Sequence, residues 1–150
     1  MPLTISAESP LTEDGRRLID GSQVALLEVF SPDEIFTFSA MELASPDTAF
    51  LVAREAGAAF GCVAMVDCGD YVEVKRLYVP AEGRGKGVAR ALMAALETRA
   101  GQAGKSWVRL ETGDALKPAV ALYTALGYRV RGPFGDYPEH PASLFMEKPL

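Results

Sequence analysis

The segment Arg84-Gly85-Lys86-Gly87-Val88-Ala89 has the residue types best suited to gripping an anion. Gly85 and Gly87 free the backbone for conformations that other residues avoid, and they let a ligand approach the main chain. Behind them Val88, Leu92, Leu96 and Ala100 recur every fourth residue, while Arg90, Glu97 and Arg99 take the other faces. That is the pattern of an amphipathic helix. Its first amides have no partner within the helix and sit at its positive dipole end. Loop and helix together make an anion site suited to a pyrophosphate, with Arg84, Lys86 and Arg90 adding charge. The plainer alternative is a glycine-rich turn that only reverses the chain.

Which anion is narrowed by what the loop lacks. A Walker A loop needs Ser or Thr after its lysine to reach magnesium, and Lys86 is followed by Gly87. A dinucleotide fingerprint read from Gly85 and Gly87 wants Gly or Ala three residues later, where Arg90 stands. No metal is implied either, because a single histidine, His140, cannot build the usual imidazole site. Cys62 and Cys68 form neither a metal spacing nor a disulfide framework, and each is expected to be a reduced thiol in a cytoplasmic protein.

The 150 residues suit one domain, 1–150, with enough apolar sequence for a core. No apolar run approaches the ~18 residues of a membrane span, and the first residues have no export signal, so neither a membrane nor secretion is expected. A net charge of −5 argues against nucleic acid. The distribution is more telling. Residues 1–70 hold 12 acidic and 3 basic groups, whereas residues 71–109 hold 3 acidic and 8 basic. A basic middle in an acidic chain fits a small anionic ligand, or a solvated helix face.

These groups must be positioned by the elements around them. A strand at 3–6 precedes a helical region at 12–30, either continuous or split at Gly21, and Ser31-Pro32-Asp33-Glu34 signals a short second helix. Residues 38–47 give no clear pattern. Strands at 49–53, 59–66 and 71–79, joined by short turns, make an antiparallel meander. The long helix then runs to Gly101, followed by a strand at 107–110 and a helix at 118–126 stopped by Gly127. Two closing strands, 128–131 and 143–147, flank a loop at 132–141 rich in proline, glycine and aromatics. The order predicts an α+β fold (an α/β mixed sheet), its central twisted sheet mostly antiparallel, with one parallel pair and flanking helices.

Glu73-Val74-Lys75-Arg76-Leu77-Tyr78-Val79 followed by the 84–89 loop resembles motif A of the GNAT superfamily of acyl-CoA-dependent N-acetyltransferases. Arg84, Gly87 and Ala89 match its spacing. Ala119-Val120-Ala121-Leu122-Tyr123, closing with Leu126-Gly127-Tyr128, resembles the family's second signature, about 35 residues further on. Glu73 to Val79, Leu110-Glu111-Thr112-Gly113 and the ending Ser143–Lys148 resemble a small bacterial branch, mostly uncharacterised.

The resemblance implies a GNAT-type fold and acetyl-CoA as co-substrate. The backbone of Leu77 and Val79, with Tyr78 between them, would pair with the pantetheine arm, and the Leu77 amide would polarise the thioester carbonyl. Amides from Arg84 to Ala89, among them those of Gly85, Lys86, Gly87 and Val88, would hold the pyrophosphate, with Arg90 near. Tyr123 matches the tyrosine that protonates the departing thiolate, or else simply packs its ring. Glu73 is the candidate base for the acceptor ammonium, or a partner for Arg or Lys. Strand parity puts Glu73, Lys75 and Leu77 on one side unless a bulge intervenes. Glu111 is the second candidate, and His140 is expected at the surface. Leu116 stands where the family often has an Asn or Gln that touches the cofactor.

The implied activity is transfer of acetyl from acetyl-CoA to a primary amine of a small molecule or amino acid, by direct attack in a ternary complex. The alternatives are a non-catalytic acyl-CoA-binding regulatory module and a protein or peptide N-acetyltransferase. Arg16 and Arg17 would face an acceptor carboxylate or solvent, Phe134, Tyr137 and Pro138 would shape the acceptor pocket, and a homodimer is possible.

Overall fold

A computed structural model describes residues 2–150. Seven strands form one sheet in the order β1-β2-β3-β4-β5-β7-β6. The strands are β1 (Thr4–Ala7), β2 (Thr48–Glu55), β3 (Ala58–Asp67), β4 (Tyr71–Tyr78), β5 (Trp107–Gly113), β6 (Arg129–Arg131) and β7 (Ser143–Pro149). All neighbours are antiparallel except β4 and β5. That parallel pair needs a crossover, and α3 (Val88–Gln102) supplies it. The expected α+β architecture is present.

Helix α1 (Glu13–Leu27) is continuous through Gly21, because its buried stripe of Leu18, Ile19 and Ser22 runs past that residue. Thr12 caps it, accepting from the Gly15 amide at 3.0 Å. Ser31-Pro32-Asp33-Glu34 gives a single 3-10 turn, Pro32–Glu34, in place of the expected helix, since its chain turns extended at Ile35. Within the unassigned stretch, Ser39 and Glu42 form a capping box that starts a four-residue helix, α2 (Ala40–Leu43). The last helix, α4, spans Lys117–Ala125.

The sheet buries both faces. On one side α3 lays Val88, Leu92, Met93 and Leu96 against Leu51, Val63, Val72, Val74 and Leu110. Full burial of each such side chain contributes roughly 1.5–3 kcal/mol. On the other side Leu18, Ile19 and Leu43 close over Phe50, Val52, Cys62 and Ala64. Burial pushes the Cys62 thiol up to about 12, so it stays protonated and inert.

One irregularity sets the site. The β3–β4 register slips between Cys62 and Ala64, and Arg76 opposite takes a φ of 56°. This bulge reverses side-chain parity. Glu73 and Lys75 face the α1 side, whereas Leu77 and Val79 pack with the α3 core. Leu77 therefore lies on the opposite face from Glu73, because the bulge takes up one residue.

Candidate active site

Pairing between β4 and β5 runs only from Tyr71↔Trp107 to Val74↔Leu110, although the strands continue to Tyr78 and Gly113. Past Val74 they part, leaving β4 with main-chain groups that β5 does not meet. A cleft of about 510 Å³ opens in this gap. Leu77, Tyr78 and Val79 line one bank, Ala119, Leu122 and Tyr123 of α4 line the other, and Arg84 and Ala89 stand at one end. Leu116, the departure from the family pattern, lines the cleft with an apolar side chain.

Gly87 is the N-cap of α3, with a φ of 72°, and Gly85 has a φ of 79°. Nothing lies within 4 Å of a Cβ built on either, so backbone conformation and not space demands glycine there. Arg84, Lys86 and Arg90 are exposed around the turn. Lys86 Nζ lies 3.2 Å from Glu55 Oε2, and Val88 is buried as the anchor of the helix. The turn thus presents the unpaired amides of the α3 N-terminus beside exposed cations. A Gly87→Val variant is expected to lose about tenfold or more in acetyl-CoA affinity by calorimetry, a φ penalty of about 1–2 kcal/mol that displaces the amides.

Tyr123 is 6% exposed, stacks edge-on to Tyr128 at 5.8 Å between ring centroids, and lines the cleft. Burial pushes its phenol up, so it holds its proton firmly at neutral pH. Tyr128 donates to Glu97 Oε2 at 2.8 Å, tying the end of α4 to α3.

Four polar groups cluster beside the same cleft, and of them Lys75, Tyr137 and Glu111 line it. Lys75 Nζ lies 3.2 Å from Glu73 Oε2, with side-chain exposures of 5% and 9%. The Tyr137 hydroxyl joins them, accepting from Lys75 and donating to Glu73. The Lys75 ammonium also stands over the Phe38 ring, 4.5 Å from its centroid. Glu111 lines the cleft and accepts from Ser143 Oγ at 2.8 Å. Burial pushes the Glu111 carboxyl up to about 7, against the opposing pull of Ser143 and Lys75. The carboxyl is thus poised to take a proton near neutrality.

The family model described as "Acetyltransferase (GNAT) domain" matches residues 46–130. The chain belongs to the GNAT acetyltransferase family. An IAA acetyltransferase of Azospirillum brasilense is 41% identical over 150 residues, 99% of this chain and 98% of that protein. A Klebsiella pneumoniae protein described as an acyl-CoA N-acyltransferase is 34% identical, with a TM-score of 0.82 over 99% of this chain and 97% of that one. The PaiA N-acetyltransferase of Thermoplasma acidophilum, crystallised with coenzyme A, shares the fold at a TM-score of 0.81 and 19% identity, with 100% of each chain covered. This GNAT chain is accordingly an acyltransferase.

The geometry separates the two carboxyls that the sequence offered. Glu73 is committed to Lys75 and Tyr137, whereas Glu111 lies on the cleft wall. His140 is taken up within its loop, its Nδ1 accepting from the Ala142 amide at 3.1 Å. Arg17 pairs with Asp14 at 3.3 Å and Glu82 at 3.8 Å, while Arg16 donates to Leu11 O at 3.0 Å. Sequence reasoning missed Phe30, Phe36 and Arg76, which all line the cleft. Phe30 packs so tightly on β5 that a Cβ at Gly113 would come within 2.2 Å of its ring. The signal for Arg76 was present as two consecutive cations, Lys75-Arg76, inside a strand that is otherwise core.

Removing the Glu73 charge is expected to strand the Lys75 ammonium. Breaking a buried pair costs about 3–5 kcal/mol. Thermal unfolding of Glu73→Gln should fall by roughly 10 °C, given about 2–4 °C per kcal/mol in a domain of this size. An unchanged melting temperature would mean that the pair contributes nothing.

Proposed function

We propose that this GNAT enzyme moves the acetyl group of acetyl-CoA onto the primary amine of a small molecule or amino acid, by direct attack in a ternary complex. The observation that carries this reading is the unzipped β4–β5 gap, whose cleft is lined both by a protonated phenol, Tyr123, and by a carboxyl raised to about 7, Glu111. Amides of residues 84–89 hold the diphosphate, and the free edge of β4 pairs with the pantetheine arm.

Glu111 takes a proton from the acceptor ammonium, and the freed nitrogen attacks the thioester carbonyl. The C–N bond forms while the Leu77 amide stabilises the oxyanion. As the C–S bond breaks, Tyr123 gives its proton to the thiolate. The attacking nitrogen loses its second proton as the amide forms, and that proton restores the Tyr123 phenol. One amine proton thus ends on Glu111, one ends on Tyr123 and the former phenol proton ends on the thiol. Cys62, buried with a raised pKa, supplies no covalent route.

The test mixes the protein with acetyl-CoA and a panel of primary amines and follows free thiol. Release that depends on both components supports the enzyme. Stabilisation by acetyl-CoA with no release from any amine, including N-terminal peptides, would point to the regulatory module.

A further inference from the structure

Among the described residues, one arginine of the sheet that is not exposed has no carboxylate beside it. Four of the arginines are not exposed, Arg54, Arg76, Arg109 and Arg131. Three of them meet a carboxylate, Arg54 at 2.8 Å, Arg109 at 3.0 Å and Arg131 at 2.7 Å. Among the described residues no carboxylate oxygen comes within 4.0 Å of Arg76, in a chain with 20 acidic residues. Asp20 and Glu42 act on it only from further off. Its guanidinium donates from Nε to Phe38 O at 3.1 Å and from Nη1 to Ser22 Oγ at 2.8 Å. Ser22 Oγ in turn donates to Ile19 O at 2.9 Å. Those two bonds hold the fork still and leave most of its five N–H donors unspent.

Placement and strain point the same way. Arg76 holds the left-handed φ of 56° at the bulge, a strained conformation for a non-glycine residue that tends to mark functional sites. It lines the cleft and also an adjoining polar hollow of about 440 Å³. Gln23 lines that same hollow, and its Oε1 is buried with no hydrogen-bond partner. Turning the amide over would set an N–H₂ there in place of the stranded oxygen. Arg76 and Glu111 both line the cleft, from the two strands that part past Val74 and Leu110. The same lining includes the apolar side chains of Leu26, Phe30, Ile35 and Phe36 and the ring of Tyr137, together with Glu34, Thr37 and Lys75.

Resting on the acetyl-transfer reading above, we infer that the acceptor is an amino acid with an apolar side chain, its carboxylate held by Arg76 while its amine faces Glu111. A half-buried guanidinium with no carboxylate beside it gains most from an anionic ligand group. Lys75 cannot serve in its place, because Glu73 already neutralises it.

The test compares matched pairs with and without the carboxylate, phenylalanine against 2-phenylethylamine and tryptophan against tryptamine. The wild-type kcat/KM is expected to favour the amino acid of each pair by about tenfold or more, the worth of a charge-assisted bond. Arg76→Gln should cut that ratio at least tenfold, and Arg76→Lys should restore part of it. If both members of a pair fall together in Arg76→Gln, the residue is only a strut and the inference fails. It fails equally if the wild type prefers the decarboxylated amines. A second readout needs no turnover. Phenylacetate, titrated calorimetrically with coenzyme A present, should bind wild type and not Arg76→Gln, and no binding to wild type would overturn the carboxylate site. Carboxylate binding without thiol release from any amine would instead sink the acetyl-transfer reading alone.

Discussion

Replacing Tyr123 by phenylalanine is expected to lower kcat by roughly 10²–10⁴-fold, the range that a positioned general acid contributes. The dissociation constant of acetyl-CoA should move by less than about threefold, because the ring's burial and its edge-on contact with Tyr128 survive the change. The split between the two quantities is what matters. A phenol that only packs would leave kcat intact, whereas one that shapes the cofactor groove would weaken binding along with turnover. Pre-steady-state thiol release compared with calorimetric affinity reads both. Burial raises this phenol, so over pH 6–9 it remains a donor and contributes no limb of its own to the pH profile.

The second large effect belongs to Glu111. With its carboxyl pushed up to about 7, it is protonated below that pH and cannot accept the amine proton. Wild-type kcat/KM should therefore rise about tenfold per pH unit up to about pH 7 and flatten above it, apart from the acceptor's own titration. Glu111→Gln should lose roughly 10²–10⁴-fold near pH 7.5. A limb that persists unchanged in the variant would belong to another group. Stability should move the opposite way. A buried carboxyl with a raised pKa costs nothing while protonated in both states, and its ionisation penalises the fold as pH climbs from the usual carboxylate range through about 7. Glu111→Gln should thus melt higher than wild type above pH 8, with the gap closing below pH 5. Lower activity paired with higher alkaline stability is the signature of a group held for chemistry and not for the fold.

How far the sequence carried these conclusions varied with the range of the interaction. The α3 register, the meander and the 84–89 turn are local patterns, with a fourfold apolar repeat, alternation and glycines at the turns, and all were legible. The helix at 40–43 was hidden because its signal is one capping box, Ser39 with Glu42, on four residues. The bulge at Arg76 was not legible either. It arises from a register slip against β3, and no residue in β4 advertises a φ of 56° there. That slip moved Leu77 to the far face from Glu73. The different surroundings of the two carboxyls were unreadable for a similar reason. Their difference lies in partners far along the chain, Tyr137 for Glu73 and Ser143 for Glu111.

The proposed acetyl transfer depends on a main-chain grip on the diphosphate at the mouth of α3. A crystal structure with acetyl-CoA addresses it most directly. Diphosphate oxygens should lie within about 3.2 Å of amide nitrogens in the 84–89 turn, with the thioester between Leu77 and Tyr123. Diphosphate density against any other part of the chain, with that turn left to solvent, would contradict the account.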